Sequence, residues 1–253
     1  MRSFSFNGVS LSSLGGRITE APYHTVASRD VEQVKIYGQS GDEVIDNRSY
    51  NNVSFSVKIA FLPYKTAQTA NDIARAVIDW LAPLQGAYYT YTDTWNPGYF
   101  TKARLTNFDE VKRELRTLLT ATLKFSRVPF WYSSSLTPVE FVNGAAENVL
   151  HNPESYDAEP IYQFLYSRGF DETVNIIVNN QTVSFTTGLL ATVFYLDNTA
   201  KQFYRVENGS KVYLGNQLLP NLQPGDNTIR FNLNGSLVSG SFSLKVIPNW
   251  RRL

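Results

Sequence analysis

The sequence predicts a mainly β protein with two successive domains: an N-terminal β domain that contains one α-helix, followed by a C-terminal β-sandwich or jelly roll. Three observations support this prediction. Apolar residues alternate with polar ones in several short runs, and Asn-rich two-residue turns recur through the last third of the chain. Between these regions, at 128–138, the alternation stops and the composition shifts toward proline and serine. We therefore predict domains at 1–133 and 139–253.

The strongest strand signal of the N-terminal domain lies at 52–62, where an apolar residue occupies every second position from Val53 to Phe61. The same period returns at 119–126, and 99–108 is a less regular strand candidate. Period-two alternation is typical of a strand with one buried face. These runs therefore predict one antiparallel sheet system.

One convincing helix is predicted between these strands, at about 67–82. Thr69 can cap its N-terminus, and Asp72 three residues later completes a capping pair. Pro83 and Gly86 end the helix. We expect it to lie against the sheet through an apolar face made of Ile73, Val77, Trp80 and Leu81.

Tight turns define the C-terminal domain. Asn followed by Asn or Gly readily adopts the positive φ angles of a type I′ turn, so such pairs predict β-hairpins. The predicted turns are Asn179-Asn180, Asn208-Gly209 and Asn234-Gly235. Phe242, Leu244 and Val246 alternate in the predicted last strand. Short strands at this spacing favour a sandwich or jelly roll of about 110 residues.

Composition limits the classes of function. The chain has 253 residues, of which 43% are hydrophobic and 18% charged, and it has no cysteine, so disulfides and thiolate metal sites are excluded. The net charge is +3 before Pro138 (15 basic minus 12 acidic residues) and −2 from Pro138 onward (8 minus 10), so neither half predicts tight nucleic-acid binding. The N-terminus lacks the apolar core of a secretory signal, and no apolar run reaches the ~18 residues of a membrane span. We expect synthesis in the cytosol.

Catalytic, metal and cofactor sites are not predicted. The two histidines, His24 and His151, stand outside any triad or HExxH pattern, and no phosphate-binding glycine loop is present. Carboxylate pairs occur at Asp42/Glu43, Asp109/Glu110, Asp157/Glu159 and Asp171/Glu172. A glycosidase needs two carboxylates within roughly 10 Å of each other, so a glycan hydrolase stays a third alternative beside solvated loop carboxylates.

Aromatic residues supply the candidate interaction sites. The densest stretch, 88–100, offers subunit or partner contacts at Tyr88, Tyr89, Tyr91, Trp95 and Tyr99. Aromatic packing beneath a β-hairpin explains this stretch equally well. In the C-terminal domain, the candidates for stacking on sugar rings are Tyr156, Tyr195, Tyr204 and Tyr213. Alternation in a sandwich favours core roles for most tyrosines of this domain.

Short motifs spread along the chain resemble one family. They are Phe4-Ser5-Phe6-Asn7-Gly8, the helix that ends near Trp80, the strand exit at 123–132, Pro224-Gly225-Asp226-Asn227 and Asn249-Trp250-Arg251. In their order, their spacing and the total length, they resemble the distal tail (Dit) proteins of long-flexible-tailed bacteriophages, and specifically their short form. The resemblance covers essentially the whole chain.

The resemblance implies a non-enzymatic homohexameric ring without a cofactor at the distal end of the phage tail. Its N-terminal domain would be related to tail-tube proteins, and its C-terminal domain would be a galectin-like sandwich that resembles carbohydrate-binding modules. The ring would join the major tail-tube protein to the tail-tip or fibre protein. DNA would pass through it without sequence-specific binding, and no membrane insertion is implied. Candidate ring contacts are loops around 38–52 and 88–100, including Asp42 and Tyr50.

A second function class stays open, in which a stand-alone lectin-like protein holds a cell-wall polysaccharide through exposed tyrosines of the second domain. The sequence has no large insertion that would add a further sugar-binding module, and Ser126 stands where some relatives are expected to have cysteine. The hub of a phage tail tip is therefore the leading expectation.

Overall fold

The computed structural model describes residues 2–20, 25–63, 69–108, 111–115, 118–141, 147–167, 171–188, 192–233 and 242–253. The chain divides into two compact units, Met1–Ser134 with Leu253, and Ser135–Arg252. Both units are built from antiparallel strands, and the described residues contain one α-helix. The predicted fold class is confirmed.

The first unit is built around one large sheet. Its strands are β1 (Phe4–Phe6), β2 (Val9–Ser10), β3 (Gly16–Ile18), β4 (Arg29–Lys35), β5 (Asp42–Tyr50), β6 (Val53–Phe61), β7 (Tyr89–Asp93), β8 (Tyr99–Phe108), β9 (Lys112–Leu115), β10 (Leu118–Arg127) and β11 (Trp131–Ser133). The sheet runs in the order β2-β1-β7-β8-β10-β6-β3, and β9 and β11 pair with β10 and β8. Strands β4 and β5 form a separate two-stranded sheet.

Strands β6 and β10 form the centre of this sheet, and they confirm the predictions at 52–62 and 119–126. They pair over nine residues, from Val53 opposite Arg127 to Phe61 opposite Leu119. Every second side chain of each strand faces the core. The largest fully buried residues of this core are Phe6, Leu11, Ile59, Phe61, Ile73, Tyr91 and Phe125.

Helix α1 (Ala70–Leu81) covers the core side of the sheet. Thr69 is its N-cap, and its hydroxyl accepts a hydrogen bond from the Asp72 backbone N–H while Asp72 accepts one from the Thr69 N–H. This confirms the predicted capping pair. The predicted residues 67 and 68 lie outside the described residues. Ile73, Val77 and Leu81 are buried, and short 3₁₀-helices occur at Leu11–Leu14 and Ala82–Leu84.

The second unit is a two-layer β-sandwich. Its strands are β12 (Val139–Phe141), β13 (Asn148–Asn152), β14 (Ile161–Tyr166), β15 (Thr173–Val178), β16 (Gln181–Thr186), β17 (Thr192–Asp197), β18 (Gln202–Glu207), β19 (Ser210–Gly215), β20 (Gly225–Leu233) and β21 (Phe242–Ile247). The short strand β22 (Arg251–Arg252) follows and is in neither sheet of the sandwich. One sheet has the order β12-β21-β14-β17-β18-β19, and the other has the order β13-β20-β15-β16. The inner faces of the two sheets contribute to one hydrophobic core.

The hairpin turns of the sandwich follow the sequence prediction. Asn179 and Asn180 join β15 to β16 with φ angles of 49° and 66°, and Asn208 and Gly209 join β18 to β19 with 49° and 77°. Both turns therefore have the paired positive φ angles of type I′. The predicted turn at 234–235 lies outside the described residues.

Two buried tyrosines allow a matched test of hydrogen bonding in the two cores. Tyr162 donates its hydroxyl proton to the Pro220 carbonyl at 3.0 Å, whereas the Tyr91 hydroxyl has no hydrogen-bond partner among the described residues. Burial raises the pKa of both phenols, so both stay protonated at neutral pH. We expect Tyr162→Phe to lower the free energy of unfolding by about 1 kcal/mol, and Tyr91→Phe to leave it unchanged or raise it. Urea unfolding measures both, and equal losses would contradict the assignment.

Candidate assembly surfaces

The hairpin formed by β4 and β5 is a candidate contact because it pairs only with itself among the described strands. Residues 36–41 connect its strands, and the side chains of β5 are exposed on both faces, except for half-buried Tyr50. The prediction of a loop around 38–52 is wrong for most of this segment, since Asp42–Tyr50 is a nine-residue strand. Charged and polar residues occupy both faces of this strand, so its sequence shows no period-two alternation.

Apolar side chains are exposed along the hairpin. Tyr37 in the turn is fully exposed, and Val31, Val44 and Ile45 expose 42%, 57% and 47% of their surface. A two-stranded hairpin is only marginally stable alone in water, and an unpaired strand edge readily pairs with another chain. A second polypeptide that covered the hairpin would hydrogen-bond to its open strand edges and would bury its apolar side chains.

Polar and aromatic contacts fix the base of the hairpin. The Arg29 guanidinium donates hydrogen bonds to both Asp46 carboxylate oxygens, at 3.0 and 2.9 Å, and lies 4.9 Å from the centroid of the Tyr50 ring. These hydrogen bonds lower the pKa of Asp46 and raise the pKa of Arg29. Tyr50 meets Phe130 edge to face at 5.5 Å. Tyr50 therefore anchors the hairpin within its own unit, whereas Asp42 is exposed near the turn.

The aromatic candidates at 88–100 do not form one surface. Tyr91 is fully buried, and Tyr89 packs edge to face against Phe6 at 5.7 Å. Tyr91 belongs to the core, so the prediction that it contacts another subunit is corrected. Tyr88 is exposed, and its hydroxyl accepts a hydrogen bond from Asn52 Nδ2 at 2.6 Å. Tyr88 is thus the candidate of this group with an accessible ring.

Trp95 and Tyr99 are half-buried and pack against the core of the first unit. The backbone N–H of Trp95 donates to Asp93 Oδ1 at 3.0 Å, and the Arg2 guanidinium lies 6.0 Å from the Trp95 ring centroid. Both aromatic residues therefore stabilise the connection between β7 and β8. Core packing beneath a hairpin, the alternative considered for this stretch, describes Tyr89, Tyr91, Trp95 and Tyr99.

Three of the predicted sugar-stacking residues form a row across β17, β18 and β19. Tyr195 lies opposite Tyr204, and Tyr204 lies opposite Tyr213. The Tyr195 and Tyr204 rings stack in parallel with their centroids 5.0 Å apart, and the Lys211 ammonium lies 4.1 Å from the Tyr204 centroid. Tyr204 is buried, and Tyr213 is exposed. The fourth candidate, Tyr156, lies in the loop before β14.

The stacking within this row limits what it can bind. A sugar ring packs against an open aromatic face, and the face that Tyr204 turns to Tyr195 is already occupied. Cross-strand aromatic pairs of this kind stabilise a sheet. The row therefore reinforces the edge of the six-stranded sheet, and only Tyr213 has a largely accessible ring.

A basic sheet face was missed by sequence reasoning. On the main sheet of the first unit, the side chains directed away from the core are mostly Ser, Thr, Lys and Arg. The cations are Arg17 on β3, Lys58 on β6, Lys102 and Arg104 on β8, and Lys124 on β10, and all five are exposed. The sequence did contain a signal for this face. In the alternating strands, the polar positions between buried residues all point to the side of the sheet away from the core, and the cations occupy these positions.

Two features are absent from the described ranges, a cluster of metal-ligating side chains and a membrane-spanning helix. Within them, no group of three His, Asp or Glu side chains could hold a metal ion. Their helices are too short or too polar to cross a lipid bilayer.

Comparison with protein-family models and with curated protein sequences gives no match. Among solved structures, the chain is similar to the Dit protein (gp 19.1) of SPP1, described as a paradigm of hub adsorption apparatus in phages that infect Gram-positive bacteria. The TM-score is 0.69 at 14% identity, with 100% of each chain covered. It is also similar to a protein of the phage P2 baseplate in its activated conformation with Ca, with a TM-score of 0.54, 8% identity, and coverage of 100% of this chain and 98% of that one.

Both similarities extend over the whole length of the chain, so they include the sheet, the helix and the sandwich together. They confirm the predicted resemblance to Dit proteins at the level of the fold. The chain has the fold of the SPP1 Dit protein.

Proposed function

We propose that this protein is the structural hub of a phage tail tip, located at the distal end of the tail in the virion. It assembles into a homohexameric ring that joins the major tail-tube protein to the tail-tip or fibre protein, and DNA passes through its central channel. The observation that supports this most strongly is the full-length structural similarity to a protein described as an adsorption hub. The function requires no catalysis.

The hairpin of the first unit is the element that we assign to the ring contact. It presents Tyr37, Val44 and Ile45 to solvent and has unpaired strand edges. A closed cyclic ring uses heterologous contacts, in which a surface of one copy meets a different surface of the next. A projecting hairpin fits this requirement, because it can pair with or lie against a neighbour without meeting its own counterpart.

The sandwich of the second unit is the proposed platform for docking of the adsorption proteins. Sugar stacking by its tyrosine row is not part of the proposal, because Tyr195 and Tyr204 stack on each other. The stand-alone lectin is accordingly the weaker alternative. A ring is compatible with a docking role of the sandwich, since each copy would present one such platform.

Electron microscopy of the purified full-length protein in negative stain tests this function. We expect class averages of closed rings with a central opening and regular rotational symmetry. Antibodies against the protein should label the distal end of the tails of particles that carry it. Monomers or open filaments, or labelling along the whole tail, would contradict the proposal.

A further inference from the structure

We propose that the basic face of the main sheet in the first unit binds the phosphate backbone of duplex DNA without reading its sequence. This face consists of the outward side chains of β3, β6, β7, β8 and β10, with Arg17, Lys58, Lys102, Arg104 and Lys124 as its cations. The inference deepens the proposed function and rests on it for the source of the DNA, which would pass through the ring.

The charge of the face is of one sign on these strands. Their outward positions hold five cations and, within the described strands, no Asp or Glu. Carboxylates occur at its margin, where Glu20 pairs with Lys58 at 2.6 Å and Glu114 accepts a hydrogen bond from Thr120 at 2.8 Å. Such a surface attracts a polyanion and repels other cationic surfaces.

Neutral groups hold Lys102 and Arg104, the two cations of β8. Lys102 Nζ donates a hydrogen bond to Thr90 Oγ1 at 2.9 Å, and the Arg104 guanidinium lies 5.9 Å from the centroid of Tyr88. Neither contact neutralises the positive charge. The side chains are therefore oriented by the sheet while their charge stays available to an anion.

Hydroxyl groups between the cations suit a phosphate backbone. Thr120 and Thr122 on β10 lie beside Ala60 and Lys58 on β6 in the antiparallel register. Together with Arg17, Lys112 and the carboxylate Glu114, they line a groove with a volume of about 610 Å³. Ser, Thr, Lys and Arg side chains are common donors to phosphate oxygens, and such contacts position a duplex without specifying its sequence.

The dimensions and chemistry of the face favour a duplex over an acidic protein. Five neighbouring strands spaced about 4.8 Å apart span roughly 20 Å, which is comparable to the width of a DNA double helix. A protein partner would call for aromatic or aliphatic anchors at the centre of the contact. The outward positions around Lys102, Arg104 and Lys124 hold Thr90, Thr106 and other small polar residues, and the two aromatic rings beside them, Tyr88 and Phe100, lie against the Arg104 guanidinium and the Lys102 ammonium at 5.9 and 6.0 Å.

Fluorescence anisotropy with a short labelled duplex tests the inference on the full-length protein. The test variant is Lys102→Gln, Arg104→Gln and Lys124→Gln, and the matched control is Arg75→Gln, Lys201→Gln and Lys245→Gln, which removes the same charge elsewhere. Light scattering first verifies that both variants assemble as the wild type does. Arg104→Gln alone serves as a milder variant if the triple variant fails to fold.

We expect the wild type to bind at about 50 mM salt with a steep salt dependence, and duplexes of different sequence to bind equally. The test variant should bind about tenfold more weakly or worse, and the slope of log affinity against log salt should fall by about 2 to 3. The control should stay within about twofold of the wild type, and Arg104→Gln alone should reduce the slope by about 1.

Absence of binding by the wild type at about 50 mM salt would overturn the inference. So would equal losses in the test and control variants, or displacement of the duplex by polyglutamate at an equal concentration of charge, which would assign the face to an acidic protein. Closed wild-type rings that do not bind DNA would leave the proposed function intact. Binding of the duplex by a wild type that is monomeric would overturn the proposed function but would support DNA binding by the basic face.

Discussion

Replacing the three exposed apolar residues of the hairpin, through Tyr37→Ser, Val44→Thr and Ile45→Thr, is expected to dissociate the ring. The midpoint concentration for assembly should rise by about 100-fold or more, since three buried apolar contacts of about 1 kcal/mol each multiply in this way. Threonine keeps the β propensity of the strand, so the hairpin itself should persist. Sedimentation velocity over a concentration series measures the shift.

Dissociation of the ring is expected because Tyr37, Val44 and Ile45 are exposed to solvent in the isolated chain. Burial against a neighbour removes their apolar surface from water at no cost in folding, because the base of the hairpin is already held by Arg29, Asp46 and Tyr50. In a closed ring each copy contributes two interfaces, so the loss at one contact weakens the whole assembly.

A matched control uses the same three types of substitution at exposed residues outside the hairpin. It consists of Tyr213→Ser, Val149→Thr and Ile78→Thr, which expose 61%, 57% and 46% of their surface. This control should assemble as the wild type does. Equal assembly by the hairpin variant and the control would show that the hairpin is not the ring contact.

Truncation of Asn227 is the change expected to destabilise the sandwich most among its polar residues. Asn227→Ala should lower the free energy of unfolding by about 3 kcal/mol, because several buried backbone groups lose a hydrogen-bond partner, each at about 1 kcal/mol or more. The side chain is fully buried. Thermal and urea unfolding, followed by circular dichroism, measure the loss.

The hydrogen bonds of the Asn227 side chain explain the size of the expected loss in unfolding free energy. Its Oδ1 accepts hydrogen bonds from the Gln223 N–H at 2.8 Å and from Asn179 Nδ2 at 2.7 Å. Its Nδ2 donates to the Gln223 and Gly225 carbonyls at 2.8 and 3.0 Å. One amide thus holds the turn that precedes β20 and also fixes the hairpin turn at Asn179, whose own Oδ1 accepts from the Thr228 N–H.

Asn232→Ala on the same strand provides the comparison. Its amide is half-buried and accepts one hydrogen bond, from Asn175 Nδ2 at 2.9 Å. We expect a loss of about 1 kcal/mol or less for this variant. If Asn227→Ala is no more destabilising than Asn232→Ala, the assigned role of the amide network is wrong.

The parts of the fold with one buried face were predictable from the sequence. Strand β6 alternates apolar and polar residues because one face meets the core. Helix α1 begins at the capping pair Thr69 and Asp72. The turn between β15 and β16 has positive φ angles, which Asn179 and Asn180 readily adopt. In each case the local chemistry and the tertiary environment favour the same conformation.

The candidate surfaces were harder to predict, for two physical reasons. The hairpin strand Asp42–Tyr50 is exposed on both faces, so no alternation distinguishes it from a loop. The basic face gathers residues as distant in sequence as Arg17 and Lys124 through strand pairing, so the nearly neutral charge of each half of the chain conceals it. The stacking of Tyr195 on Tyr204 likewise depends on a cross-strand register that periodicity does not give.

Native mass spectrometry of the full-length protein over a range of concentrations tests the central claim most directly. A hub ring predicts one dominant assembly with six times the 28.6 kDa mass of the chain. Dilution should convert it to smaller species without a continuous ladder of larger ones. A mass of 28.6 kDa at every concentration would contradict self-association, and with it the proposed role as a ring-shaped hub.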